Sequence, residues 1–104
     1  MSSIALLVEP GSTPSSVMTT LDMINIARRY PAAADCRLDL LSTQGGNIRL
    51  SPVVFLETQS LPASLEDYAA IIISGFFAGD FADLTKQLQT VWQPVVERLR
   101  ALPP

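Results

Sequence analysis

Residues able to do chemistry gather at two places in this 104-residue chain. The first is IIISGFFAGD, Ile71 to Asp80, an apolar run that enters a glycine turn at Gly75, with Phe76 and Gly79 behind it. Glycines just past a strand let main-chain N–H groups approach an anion or an oxyanion. The plainer alternative is a strand-to-helix turn, with Gly75 placed for its backbone angles. No Gly-Lys-Ser/Thr follows, so the turn is not a P-loop. The second place is Glu9-Pro10-Gly11, with Ser15 and Ser16 close behind. Glu9 is either a site acid or hydrogen-bond acceptor, or a solvated loop carboxylate. Ser15 and Ser16 either line the same pocket or cap a helix. Ligands of open α/β sheets sit beyond the carboxyl ends of strands, where both stretches would lie. The candidate ligand-binding set is therefore Glu9, Gly11, Ser16, Gly75 and Phe76.

Cys36 is the single thiol, and the chain has no histidine. A nucleophilic cysteine needs a base or an electropositive setting. Cys36 sits at a strand start without a histidine partner, so it reads as a small half-buried apolar residue. No catalytic residue, metal ligand or cofactor is assigned. Met18 and Met23 suit helix-core packing better than a flexible ligand.

These residues need elements to position them. Ile4 to Val8 is a short apolar run that suits a strand buried on both faces. Ser12 or Thr13 can cap the helix that follows, with Pro14 in its first turn and Pro31 ending it after about Tyr30. Val17, Leu21, Ile24 and Ala27 form its stripe, which Met18, Met23 and Ile26 widen. Cys36 to Leu41 predicts a second strand, and Gln44-Gly45-Gly46-Asn47 a turn. Ile48 to Leu50 and Val53 to Leu56 predict a short hairpin arm, and Leu61 to Asp67 a polar connection. Ala70 to Ser74 is the second fully apolar strand. From about Ala82 to Leu102, Leu84, Leu88, Val91, Val95, Leu99 and Leu102 recur in steps of three and four, one helix face. Pro94 should kink or interrupt that helix, and Asp80 should cap it or favour its dipole.

The predicted order, β-α-β-βhairpin-β-α, implies a three-layer α/β domain with a mostly parallel sheet. Three main strands would make a narrow sheet with exposed apolar flanks. That predicts a domain either truncated or completed by a partner chain. Trp92, Val95, Val96 and Leu99 are the candidate interface, with a homodimer as the expected assembly. Composition, 48% apolar and 16% charged, is that of one globular domain. A net charge of −3 with seven scattered basic residues argues against a phosphate-dominated nucleic-acid surface. MSSIALLV lacks a positive leader region, and no apolar run is long enough to span a bilayer. A cytoplasmic location is expected.

Four segments in this order, LLVEPG, LDMINIARR, CRLDLLSTQGGNIR and YAAIIISGFFAGD, resemble the N-terminal half of the ThiJ/PfpI-like (class I glutamine amidotransferase-like) domain. The resemblance is closer to the form at the N-terminus of AraC-family transcriptional regulators. It rests on Leu21-Asp22-Met23-Ile24, on Leu40-Leu41-Ser42 with Gly45-Gly46, and on Ile73-Ser74-Gly75. It implies a doubly wound, flavodoxin-like fold, a small-molecule sensing role and dimerisation. Relatives carry an acidic residue about where Ser15-Ser16 stand, and Gly-Gly where Gly75-Phe76 stands. The family's nucleophile-elbow strand and helix-turn-helix region have no counterpart in these residues, so neither catalysis nor DNA binding carries over. DNA would be contacted only through a C-terminal domain absent from this chain. Half of a ThiJ/PfpI-type hydrolase, glyoxalase or amidotransferase-like amidase, and a free-standing flavodoxin-like interaction module, are the alternatives.

Overall fold

The computed structural model describes residues 2–104. The elements are β1 (Ser3–Leu7), α1 (Pro14–Ala27), a 3-10 turn at Pro31–Ala33, β2 (Arg37–Ser42), β3 (Gly46–Ser51), β4 (Val54–Ser60), β5 (Ala70–Ile73), α2 (Phe81–Gln89) and α3 (Gln93–Arg100). The strands form one five-stranded sheet in the order β3-β4-β2-β1-β5. β1 pairs in parallel with β2 and β5, and β2 in parallel with β4. Only β3 is antiparallel, joined to β4 as a hairpin. The class is α/β with a mixed sheet.

β1 explains why the sheet is covered on both faces. Its side chains alternate. Ala5 and Leu7 enter one core with Leu41, Leu65, Trp92 and Val95. Leu6 and Val8 enter another with Val17, Ile48 and Leu50. α1 lies over the second face and α3 over the first. An apolar side chain fully buried in this way contributes roughly 1.5–3 kcal/mol, which makes this continuous run the centre of the fold.

The sheet is wider than the sequence predicts. β4 extends to Ser60, and its last residues pair with β2, Leu41 with Gln59 and Ser42 with Ser60. The hairpin arm therefore joins the sheet and does not project from it. Two turn residues make this possible. Gly45 and Gly46 have φ of 71° and 73°, the left-handed region that disfavours other residues. A Cβ on Gly45 would also lie 2.8 Å from the Ser60 main-chain nitrogen. The turn thus packs directly on the end of β4.

The helices differ from expectation in two ways. The predicted long terminal helix is two, α2 and α3, separated at Thr90–Trp92. Pro94 stands in the first turn of α3, where its missing N–H costs nothing. On α1 the inward stripe is Val17, Leu21, Ile24 and Ala27, but Met18, Met23 and Ile26 face solvent. A single helix on a flat sheet buries a narrow stripe, and residues about 100° away miss it.

Trp92 and Val95 require a correction. Both are only 2% exposed, inside the core on the α3 face. Val96 and Leu99 are half-buried, and Leu99 packs on the same cluster. This stripe closes the protein's own sheet, because the α2–α3 break turns it inward. The apolar surface left open lies elsewhere, at Phe77 and Phe81 after β5, at Val53 and Phe55 on the β3–β4 hairpin, and on α1.

Candidate functional site

The carboxyl ends of the parallel strands hold both stretches singled out in the sequence, and the structure divides them into two groups. The first surrounds Glu9. This residue lies just past β1 and is 2% exposed, so it is not a solvated loop carboxylate. The Thr43 main-chain N–H donates to Oε1 at 2.7 Å, and the Thr43 hydroxyl donates to Oε2 at 2.8 Å. Thr43, the first residue past β2, thus grips both oxygens of Glu9, the second residue past β1. β1 and β2 are parallel and in register from Ser3 with Arg37 to Leu7 with Leu41, which brings their ends together.

Behind Thr43 stands a second chain of hydrogen bonds. The Thr58 hydroxyl donates to the Gly46 carbonyl at 2.8 Å, which uses its only proton. Ser42 Oγ, 2.7 Å away, must then donate to Thr58. The Gly45 N–H in turn donates to Ser42 Oγ at 2.9 Å. The β2–β3 turn that presents Thr43 is therefore fixed from beneath by buried hydroxyls.

A cleft of about 310 Å³ opens over Glu9 and Thr43. Its walls come from Pro10, from Gln44 and Ile48, and from Thr90, Val91 and Pro94 at the α2–α3 break. The break is thus what brings helix residues over the strand ends. The cleft combines apolar walls with a few convergent polar groups, as small-molecule sites do. No lysine or arginine lines it.

The second group lies between β1 and β5. β1 has β2 on one side and β5 on the other, so the strand order reverses here, the position where α/β sheets generally open a crevice. In this protein serines fill it. Ser12 is fully buried. Its hydroxyl accepts from the Glu9 N–H at 3.0 Å and from the Ser74 hydroxyl at 2.9 Å. Ser16 Oγ accepts from the Gly75 N–H at 2.8 Å, and the Thr13 N–H donates to the Gly75 carbonyl at 2.7 Å. The start of α1 is stitched to the end of β5, and the Gly75 N–H is already occupied.

Several roles predicted from sequence change accordingly. Neither Ser12 nor Thr13 caps α1 through its side chain; Ser12 serves the β1–β5 junction. Gly75 does not have a positive φ, so its backbone angles do not require glycine. A Cβ there would meet Ser16 Oγ at an ordinary contact of 3.4 Å, so space does not require glycine either. Gly11 has a φ of 87° and turns the chain between Glu9 and Ser12. Phe76 stacks on Trp92, ring centroids 5.1 Å apart, and belongs to the core margin and not to the cleft. Asp80 does cap α2, accepting from the Asp83 N–H at 2.8 Å. Cys36 immediately precedes β2, at the opposite end of that strand from Thr43.

Of the five candidate ligand-binding residues, Glu9 alone lines the cleft. Ser16 and Gly75 bond to each other beside it. Thr43, Val91 and Pro94 line the cleft as well, and the sequence assigns them no site role. Nothing in their local sequence marks them, since they meet Glu9 only through strand register and the helix break. No family model matches the chain, and no curated protein or solved structure matches it. The fold and cleft define a class, an α/β domain with a small-molecule-sized opening over its strand ends. Among the described residues, no helix is long and apolar enough to cross a membrane.

Proposed function

We propose that this chain is a non-catalytic ligand-sensing domain. It is of the doubly wound, flavodoxin-like ThiJ/PfpI type found at the N-terminus of AraC-family regulators. It acts in the cytoplasm as a homodimer and reaches DNA only through a domain outside these 104 residues. The carrying observation is the cleft over Glu9 and Thr43, which has recognition groups but no thiol beside it, and whose Ser42 and Thr43 hydroxyls are already engaged in hydrogen bonds. Cys36, the only thiol, is held away from it at the start of β2. The four sequence segments that resemble the sensor family support the regulatory part of the reading. β5 ends the sheet with no strand on its outer side, and Ile73 at its end and Phe77 and Phe81 after it are exposed, which supports self-association, because an unpaired apolar edge is a template for pairing.

The test is amide NMR with a fragment library, combined with ester and amide turnover assays. The reading expects saturable shifts at Thr43 and Val91 and no turnover. Turnover that vanishes in Cys36→Ser would overturn it in favour of the hydrolase alternative. Sedimentation of the intact chain tests the dimer: a monomer at every accessible concentration removes that part of the proposal.

A further inference from the structure

Glu9 carries an inference about what the cleft accepts, and it rests on the cleft being a ligand site. A carboxylate offers about four acceptor positions. Thr43 takes one on each oxygen, so about two remain, on a group that lines an open cleft. No basic side chain stands among the lining residues, and the only ion pair among the described residues is Arg37–Asp39, on another part of the molecule. A carboxylate that is 2% exposed without a counter-ion is costly, and a partner that donates to it recovers that cost.

We infer that the cleft recognises a small organic ammonium ion. Its N–H donates to Glu9, and its apolar body lies against Pro10, Ile48, Val91 and Pro94. A metal ion is the poorer fit. Hard divalent ions take about six or more oxygen ligands. Among the described residues no three His, Cys, Asp or Glu side chains are grouped to hold one. Carboxylate and phosphate ligands meet a like charge at Glu9, on a chain whose net charge is already −3. The volume, about 310 Å³, stands at the small end of ligand sites and suits a compact amine.

A matched set of probes tests this: benzylamine, benzyl alcohol and benzoate, titrated at neutral pH and followed by the amide shifts of Thr43 and Val91. Benzylamine should bind about tenfold more tightly than benzyl alcohol, the effect of a hydrogen bond made to a charged group. Benzoate should not saturate. Glu9→Gln should weaken benzylamine about tenfold and leave benzyl alcohol within about twofold. Val91→Lys offers an independent variant. Val91 is exposed at the cleft mouth, so folding should survive while the added cation weakens benzylamine several-fold. Equal binding of all three probes, or tighter binding of benzoate, overturns the ammonium inference and leaves the cleft as a ligand site. Undiminished benzylamine binding by Glu9→Gln overturns the role of that carboxylate. No shift at Thr43 or Val91 with any probe overturns both the inference and the site beneath it.

Discussion

Two carboxylate side chains are buried among the described residues, and they are compensated differently. Asp39, inside β2 and 8% exposed, points to the α3 face. It accepts the Tyr68 hydroxyl at 2.6 Å and pairs with the Arg37 guanidinium at 3.1 Å. Glu9, beyond β1, has two hydrogen bonds from Thr43 and no cation. In the first the charge is closed off within the protein: a guanidinium and a phenol both meet Oδ2. The second leaves acceptor capacity facing a cleft. Buried charge answered within the protein serves the fold, whereas buried charge left partly unanswered beside an opening is poised for something brought from outside.

The hardest way to break this comparison is at Trp92, which supports the cleft wall from below. It is buried under the α2–α3 break that carries Thr90, Val91 and Pro94. Trp92→Ala should cost about 3–5 kcal/mol, the usual range for a buried aromatic removed from a core. That is a large part of the total stability of a small domain. Denaturant unfolding measures it. A loss below about 1 kcal/mol would mean that Trp92 is not core but interface. Any residual folded protein should show its largest amide changes at Val91, with Asp39 and its neighbours little affected.

Asp39→Ala comes next, at about 2–3 kcal/mol. It removes the acceptor of the Tyr68 hydroxyl and leaves that group without a partner. Arg37 adds little to this figure, because its side chain is 57% exposed and solvent screens it. Arg37→Ala should therefore cost well under 1 kcal/mol. If Arg37→Ala and Asp39→Ala proved equally costly, the phenol would not be the main partner and the closed arrangement would need redrawing.

Tyr68→Phe is smaller, about 1 kcal/mol, and carries a pH signature. Burial first, then the hydrogen bond and charge of Asp39, raise the Tyr68 pKa from 10.0 to about 12. The folded state therefore holds this proton more tightly than the unfolded chain. Its contribution is fully present below pH 10, then falls as pH rises from 10 to 12, since the unfolded state deprotonates first. Wild-type stability should decline across that window, and Tyr68→Phe should flatten the decline. An identical slope in both proteins would place the alkaline transition elsewhere.

Elements and single residues, Glu9 among them, are legible in the sequence; the pairings that build the site are not. The apolar run of β1, Asp80 at the start of α2, and a helix break near Pro94 are local signals, and each holds, the break falling just before Pro94 at Thr90–Trp92. The alternation Arg37-Leu38-Asp39-Leu40 marks one face of β2 as more polar, which is where Asp39 is answered. Glu9 and Thr43 are 34 residues apart and meet only because β1 and β2 are parallel and in register. The pairing of β4 with β2 joins residues about as unmarked, Leu41 with Gln59 and Ser42 with Ser60. Trp92 and Val95 were misplaced for a related reason: periodicity shows that a helix has an apolar face, but not whether the sheet beneath is wide enough to cover it. Local chemistry writes caps and breaks into sequence, whereas register writes sites, and register is a property of the whole sheet.

The smallest predicted effect sharpens the contrast most. Glu9→Gln removes a buried charge that has no counter-ion, which favours the folded state. It also turns an amide donor toward one of the two Thr43 donors, which opposes it. The two effects are of similar size, so the net change in stability should be under about 1 kcal/mol. Thr43→Val should destabilise more than Glu9→Gln, because it strips a donor from a carboxylate that stays buried. Equilibrium unfolding of both variants decides the matter. If Glu9→Gln costs as much as Asp39→Ala, Glu9 is a structural group like Asp39, and the cleft above it loses its recognition element.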